Sequence, residues 1–356
     1  MADVLTAENA DAARVGAAKR ALRDARRRRS ARSRTVTLLL ALAGCGAFLA
    51  ALCVGEYTVS VPEVLASLAG YGDDGTDFIV LGLRLPRALT GVLVGVAFGL
   101  SGAIFQRMLH NPLASPDIIG ISFGASAAAV VAITVFGLGG AVVSGLAFGG
   151  ALACAVGVYL LAWRRGVGGY RLVLVGVGVG ALLSSTISYL LSRADIYAAQ
   201  QAMVWLTGSL NGVGWPQALV PAAALAVLLP LTAALARPLR GLQFGDDSAR
   251  GLGVLVEPSR FALVVVGVAL TAVATAAAGP LAFVAFLADP IARRLTGGTA
   301  LAPPALVGAL VVLVADFTAQ HLMGGVQFPA GVVTGAVGAP YLLWLMARSS
   351  RIGRSG

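Results

Sequence analysis

Ten apolar stretches, most about twenty residues long, run from Thr35 to Ala347 and limit this chain to very few architectures. A bilayer core needs about twenty apolar residues for each spanning helix. The stretches lie at 35–54, 88–109, 116–136, 138–162, 172–192, 217–236, 261–279, 281–296, 300–323 and 328–347. Charged residues make up 12% and the apolar set 58%, whereas a soluble chain carries about a quarter charged residues. A soluble core is therefore excluded. The fold class predicted is all-α, a polytopic membrane protein of ten transmembrane helices with both termini on one side.

Orientation follows from the arginines, because cytoplasmic loops retain positive charge. The first 34 residues hold ten Lys or Arg, including the run from Arg26 to Arg29. With that end cytoplasmic, the inner loops also collect Arg107, Arg164, Arg165, Arg171, Arg237, Arg240, Arg250, Arg260, Arg293 and Arg294, and the tail adds Arg348, Arg351 and Arg354. That places 23 of 26 basic residues inside and leaves only Arg84, Arg87 and Arg193 outside. Topology and lipid headgroups account for the net charge of +10, so nucleic acid is not an expected partner. The domain plan is a basic cytoplasmic tail at 1–34, read as a frayed amphipathic extension, a transmembrane domain at 35–347, and a basic cytoplasmic tail at 348–356. No small-residue cleavage site follows the first apolar run, so a signal peptide is not expected. Cys45, Cys53 and Cys154 fall in apolar stretches and form neither a disulfide framework nor a metal spacing.

Small residues recur where helices in lipid must approach closely. Gly91, Gly95 and Gly99 repeat every four residues, and Gly331 with Gly335 repeats the spacing. Hydrophobicity cannot drive association between helices already in hydrocarbon, so close backbone packing must do it. Pro112, Pro116, Pro280, Pro290, Pro329 and Pro340 each remove a backbone donor and favour short or broken helices. Such breaks survive at membrane depth only inside protein or beside a wet cavity. The strings Asn111-Pro112-Leu113-Ala114 and Asp289-Pro290-Ile291-Ala292 point weakly to a duplicated half.

Several chemistries are missing. Lys19 is the single lysine and no glycine-rich loop ends in Lys-Ser or Lys-Thr, so the chain lacks the usual phosphate cradle for ATP. Ionisable groups are nearly absent from the span interiors, where an ion-coupled carrier would place them. Asp316 falls toward the outer end of the ninth span, and His110 and His321 fall near helix ends. An ion-coupled secondary transporter or channel is thus the alternative of another class. No catalytic triad, carboxylate pair or metal cluster is visible, and the chain reads as no enzyme.

Specific strings then occur in a definite order: Arg84-Leu85-Pro86-Arg87, Leu100-Ser101-Gly102-Ala103 with Gln106, Asn111-Pro112-Leu113-Ala114 with Pro116, Gly120 and Gly124, and Trp205-Leu206-Thr207-Gly208-Ser209-Leu210. They continue with the loop from Leu242 to Gly253, Ala278-Gly279-Pro280 through Phe283, Pro290, Ala292 and Arg293, and Phe328-Pro329-Ala330-Gly331-Val332-Val333-Thr334 with Gly338-Ala339-Pro340. Over roughly residues 35–347 the chain resembles the FecCD/BtuC-type permease subunits of ABC importers for ferric siderophores, haem or vitamin B12. It looks closest to the ferric catecholate siderophore branch. The resemblance implies the type II ABC importer permease fold in a bacterial cytoplasmic membrane. It implies a second permease, a paralogue in preference to an identical copy, and two ATP-binding subunits that carry the ATP and Mg. It also implies an extracytoplasmic substrate-binding lipoprotein, a ferric siderophore cargo with haem or cobalamin as alternatives, and no cofactor on this chain.

Site residues carry over position by position. Gly245, Asp246, Asp247, Ala249, Arg250, Leu252 and Gly253, within the loop 237–260, resemble the ATPase-coupling segment, with Ala249 and Leu252 expected on an apolar strip. Arg84 and Arg87 resemble outer-face arginines that dock the binding protein. Trp205, Gly208, Ser209 and Leu210 are expected at an outer gate, and Ser184 and Ser185, with Thr186, along a weakly polar pathway. Two positions depart from the family pattern: Asp289, where relatives read Pro-His before Ile-x-Arg, and Gln320, where Arg is usual.

Overall fold

The computed structural model describes residues 2–117, 119–163, 169–321 and 328–352. Arg164, Arg165 and Arg354 lie outside the described residues. Fourteen α-helices follow one another, with no strand among the described residues: α1 Ala2–Cys53, α2 Val61–Leu68, α3 Asp74–Asp77, α4 Leu85–Met108, α5 Ile121–Thr134, α6 Gly140–Ala162, α7 Gly169–Arg193, α8 Ile196–Thr207, α9 Trp215–Leu242, α10 Asp246–Gly251, α11 Val256–Ala278, α12 Val284–Thr296, α13 Ala302–His321 and α14 Ala330–Ile352. A π-helical segment, Phe78–Arg84, joins α3 to α4.

Seven of these helices, counted among the described residues, are long and apolar enough to cross a membrane. They lie at Arg23–Cys53, Asp74–Met108, Gly140–Ala162, Arg171–Arg193, Trp215–Leu242, Val256–Ala278 and Ala302–His321. Three predicted spans are shorter in the structure. The stretch 116–136 yields only the 14 residues of α5, roughly 21 Å at 1.5 Å per residue. Its first residues form a turn after Pro116, where the missing backbone donor and Gly120 at φ 90° stop the helix from starting earlier. The stretch 281–296 yields the 13 residues of α12, and the apolar part of α14 is 330–345.

The basic N-terminal tail is not frayed. It continues α1 as one 52-residue helix, because it holds no proline, one glycine (Gly16), and many Ala and Arg with high helix propensity. Its arginines have a definite partner. Arg29 Nε donates to the Gly297 carbonyl at 2.6 Å, and Arg32 donates to the carbonyls of Leu295 and Arg294 at 2.9 and 3.3 Å. These are the orphan acceptors at the C-terminus of α12, where positive charge also meets the negative end of the helix dipole.

Helix α4 is apolar all round and buried through most of its length, so it forms the axis of the bundle against α13, α11, α12 and α9. The glycine ladder acts here as expected. A methyl group on Gly95 would overlap the Gly308 carbonyl of α13, and one on Gly99 would overlap the Pro304 carbonyl. The second predicted pair divides: Gly331 presses on the Thr207 carbonyl, but Gly335 faces open space. Around this axis α1, α6, α7 and α9 turn large apolar side chains outward, among them Leu39, Leu161, Leu182 and Val220. A surface of that kind is solvated by lipid tails and not by water.

The duplicated-half strings do not share a conformation. Asn111-Pro112 sits in a turn after α4, whereas Asp289-Pro290 lies inside α12. They meet in space instead, on the wall of one cavity.

Candidate functional site

At the basic end of the bundle, α4 terminates on an ion cluster. Arg107 and Asp289 have side chains 1% and 2% exposed and pair at 2.6 Å through Nη2, with Nε at 3.2 Å from the same carboxylate oxygen. Arg107 also donates to the carbonyls of Thr299 and Ala300, at 2.5 and 3.0 Å. Arg293, one turn along α12, holds the other Asp289 oxygen at 2.7 Å. A buried charge of this kind is tolerable only when it is paired and fully hydrogen-bonded. The departure at Asp289 thus has a structural reason, since it is the counter-ion for two arginines. Above it opens a cavity of about 420 Å³ lined by His110, Asn111, Gln243 and Arg293 among others.

The opposite end carries a second network. Arg87 grips Asp316 with two parallel bonds, Nε to Oδ2 at 2.9 Å and Nη2 to Oδ1 at 2.8 Å, and donates to Asn211 at 2.6 Å. Gln320 donates to Asp316 Oδ2, the oxygen that also accepts from Arg87 Nε, at 2.8 Å. An amide therefore fills the place one turn along α13 where an arginine was expected, and Arg87 supplies the charge. Arg84 turns a different way. Its guanidinium donates to the carbonyls of Leu52 and Cys53, at 2.7 and 3.1 Å, and to that of Tyr57, so it closes the C-terminus of α1. The two arginines share an end of the molecule but no partner.

The segment expected to couple to an ATPase is a compact surface feature between α9 and α11. Gly245, at φ 89°, breaks α9 from the short helix α10, and Gly253, at φ 79°, breaks α10 from α11; both angles favour glycine. Asp246 pairs with Arg260 at 2.8 Å and Asp247 with Arg250 at 2.9 Å. Ala249 does not lie on an exposed strip as the sequence suggested. It is fully buried, because α10 turns that face toward α9 and α11. The exposed apolar side chains are Leu252, joined by Phe244 and Leu255, which sequence reasoning passed over as loop residues.

The expected gate residues form a tight crossing. Gly208, at φ 75°, ends α8, and its carbonyl accepts from Gly331 at 3.0 Å while Ser209 donates to Ala278 at 2.7 Å. Methyl groups on Gly208, Gly279 or Gly331 would press on backbone atoms of the neighbouring segments. Leu210 is buried and packs toward Gly91. Trp205 is partly buried, and Trp215 donates its indole N–H to the Leu81 carbonyl at 2.9 Å.

Beside this crossing lies the largest cavity described, about 650 Å³, between α5, α7, α12 and the turn before α5. Phe123, Phe283 and Phe286 give it apolar walls, with Ser184 and Ser188 from α7 and Ser122 and Ser126 from α5. Ser185 does not line it; that side chain is exposed and bonds to the Ala181 carbonyl. Phe283 holds φ 65°, an uncommon conformation for a bulky residue, at the start of α12. Asp117 also lines the cavity, a residue hidden from sequence reasoning because its stretch reads as an ordinary apolar span.

With these sites in place, the comparison with known proteins is direct. The profile of the FecCD transport family matches residues 38–348. The chain belongs to the FecCD transport family. Among its relatives is the ferric enterobactin transport system permease protein FepG of Escherichia coli (strain K12), 40% identical over 319 residues, covering 89% of this chain and 97% of FepG. The achromobactin transport system permease protein CbrC of Dickeya dadantii (strain 3937) is 41% identical over 321 residues, covering 88% and 90%. A solved transporter assigned to the metal-chelate type of ABC transporter, in an inward-facing conformation, superposes with a TM-score of 0.79 at 25% identity, covering 88% of this chain and 99% of that one. The FecCD match begins inside α1 and ends inside α14. It therefore takes in the glycine ladder, both ion networks, the α10 segment and the cavity, and leaves out the arginines of α1 that cap α12.

Proposed function

We propose that this FecCD chain is the membrane-spanning permease subunit of an ABC importer for ferric siderophores. The observation that carries the reading is the family match over residues 38–348, which includes every site described above. The chain performs no chemistry on its cargo. ATP and Mg act on separate ATPase subunits, whose closure moves the spans between outward-open and inward-open states. In this reading ten segments cross or enter the bilayer, the seven long helices together with α5, α12 and α14, and both termini face the cytoplasm. A paralogous second permease and an extracytoplasmic binding lipoprotein complete the assembly.

The sites take roles accordingly. The ATPase grips the α10 segment at Phe244, Leu252 and Leu255, while Gly245, Gly253 and the pairs of Asp246 and Asp247 keep that segment stiff and Ala249 anchors it. Arg84 and Arg87 lie at the outer end, where the binding protein docks; Arg87 presents a charge already held in register by Asp316. Charges of that kind steer and register docking more than they add affinity. The cavity bounded by Ser184, Ser188 and Phe283 is the pathway, and the crossing of Trp205, Gly208, Ser209 and Leu210 is its outer gate. The test is uptake of a radio-iron siderophore by cells that lack the gene and are complemented with the wild-type chain or with Leu252→Asp. Restored uptake with wild type and none with the variant, at equal membrane abundance, is expected. Uptake unaffected by loss of the gene would overturn the reading.

A further inference from the structure

The cavity between α5, α7 and α12 holds one ionisable side chain among the described residues that line it, the Asp117 carboxylate. Its other polar groups are serine hydroxyls, and they do not neutralise it. Ser122 spends its hydroxyl on Asp117 Oδ1, Ser188 bonds to the Ser184 carbonyl at 3.0 Å, Ser115, Ser126 and Ser184 also line the space, and the remaining walls are Leu, Ile, Ala, Pro and Phe. No arginine, lysine or histidine is found among the described residues that line the space. The arginines that are buried elsewhere are committed to Asp289 and Asp316 at the two ends of the bundle.

An ionisable residue retained in a membrane domain marks a solute pathway by default. Once ionised at alkaline pH, a single carboxylate inside low-dielectric walls also acts at longer range than it would in bulk water. We propose that Asp117 makes this half of the pathway a cation- and donor-preferring surface, which takes ammonium, N–H or O–H groups on the periphery of a chelate and turns away its anionic face. This deepens the reading of the cavity as the pathway and rests on it. The turn before α5 is built to present the group. Gly120, at φ 90°, allows the chain to reverse into α5, and Ser122 in the first turn of α5 fixes one carboxylate oxygen.

The experiment uses the complete transporter, with Cys45, Cys53 and Cys154 of this chain replaced by alanine and a reporter thiol introduced by Ser188→Cys. Labelling rates with a cationic and an anionic methanethiosulfonate are compared at mildly alkaline pH, with labelling of this chain read by mass spectrometry. The cationic-to-anionic rate ratio is expected to fall by roughly tenfold when Asp117→Asn is added, the order of magnitude expected on removing one charge from the same cavity in a medium between protein and water. Ser122→Ala, which keeps the charge and removes its hydroxyl partner, should leave a cationic preference and so separates charge from local packing. A ratio unchanged by Asp117→Asn overturns the proposal while leaving the pathway reading intact. No labelling of the reporter thiol by either reagent overturns the pathway reading and the proposal with it.

Discussion

Removing the Asp289 carboxylate by Asp289→Asn strands a guanidinium that is 1% exposed and takes a partner from a second, Arg293, that is 40% exposed. Breaking a buried pair by deleting one partner costs about 3–5 kcal/mol, because the remaining charge stays desolvated. Arg107 keeps its bonds to the Thr299 and Ala300 carbonyls, and Arg293 can turn to water, so the lower half of that range, about 3 kcal/mol, is expected. Arg107→Leu alone should cost less, since Asp289 keeps Arg293 at 2.7 Å. The double change Arg107→Leu with Asp289→Asn removes both buried charges and should recover at least about 1.5 kcal/mol relative to the sum of the singles. The assay is reversible unfolding of the four proteins in mixed detergent micelles, completed as a double-mutant cycle. Singles that add within about 0.5 kcal/mol would refute the argument that these residues act as one buried unit.

Other expectations follow from the same geometry. Gly95→Leu should prevent α4 from seating against Gly308 of α13, at a cost above the usual range of about 1–3 kcal/mol for overpacking, seen as lost monodispersity in size-exclusion chromatography, whereas Gly335→Leu should be tolerated. Arg29→Ala with Arg32→Ala should destabilise by about 1–2 kcal/mol, the scale of three solvent-exposed charged hydrogen bonds, with a loss that thermal unfolding at low ionic strength resolves. Phe244→Asp or Leu252→Asp should abolish siderophore-stimulated ATP hydrolysis by the assembled transporter without altering the unfolding of this chain; full stimulation would contradict coupling through α10. Asp316→Asn should weaken the hold on Arg87 and reduce the apparent affinity of the binding protein for the transporter, most clearly at low salt, where surface electrostatics are least screened.

Features carried by local pattern were legible in the sequence, and those needing two distant segments were not. The apolar runs give every long helix, because a run of about twenty apolar residues has few other fates. The spacing of Gly91, Gly95 and Gly99 exposes a close approach, although it cannot name α13 as the partner. By contrast Arg107 and Asp289 lie 182 positions apart, and each alone reads as an ordinary residue at a membrane edge. Arg29 and Arg32 look locally like topology signals alone, since nothing near them in the chain reveals that the C-terminus of α12 stands beside them. Asp117 was passed over for a related reason: its neighbours Pro116 and Gly120 turn the start of an apparent span into a turn, so a residue counted as span lies on a cavity wall. Ala249 was misread because a six-residue helix bounded by two glycines offers too few positions for periodicity to say which face is buried.

In the proposed function this chain moves cargo only when a separate ATPase drives it. The most direct measurement is accumulation of a radio-iron siderophore in proteoliposomes, with the binding protein outside and ATP within, comparing this chain and its partner permease with and without the ATPase subunits. Uphill accumulation is expected only with the ATPase, and none from the permeases alone, with or without an imposed proton gradient. Accumulation by the permeases alone under such a gradient would contradict the proposed function.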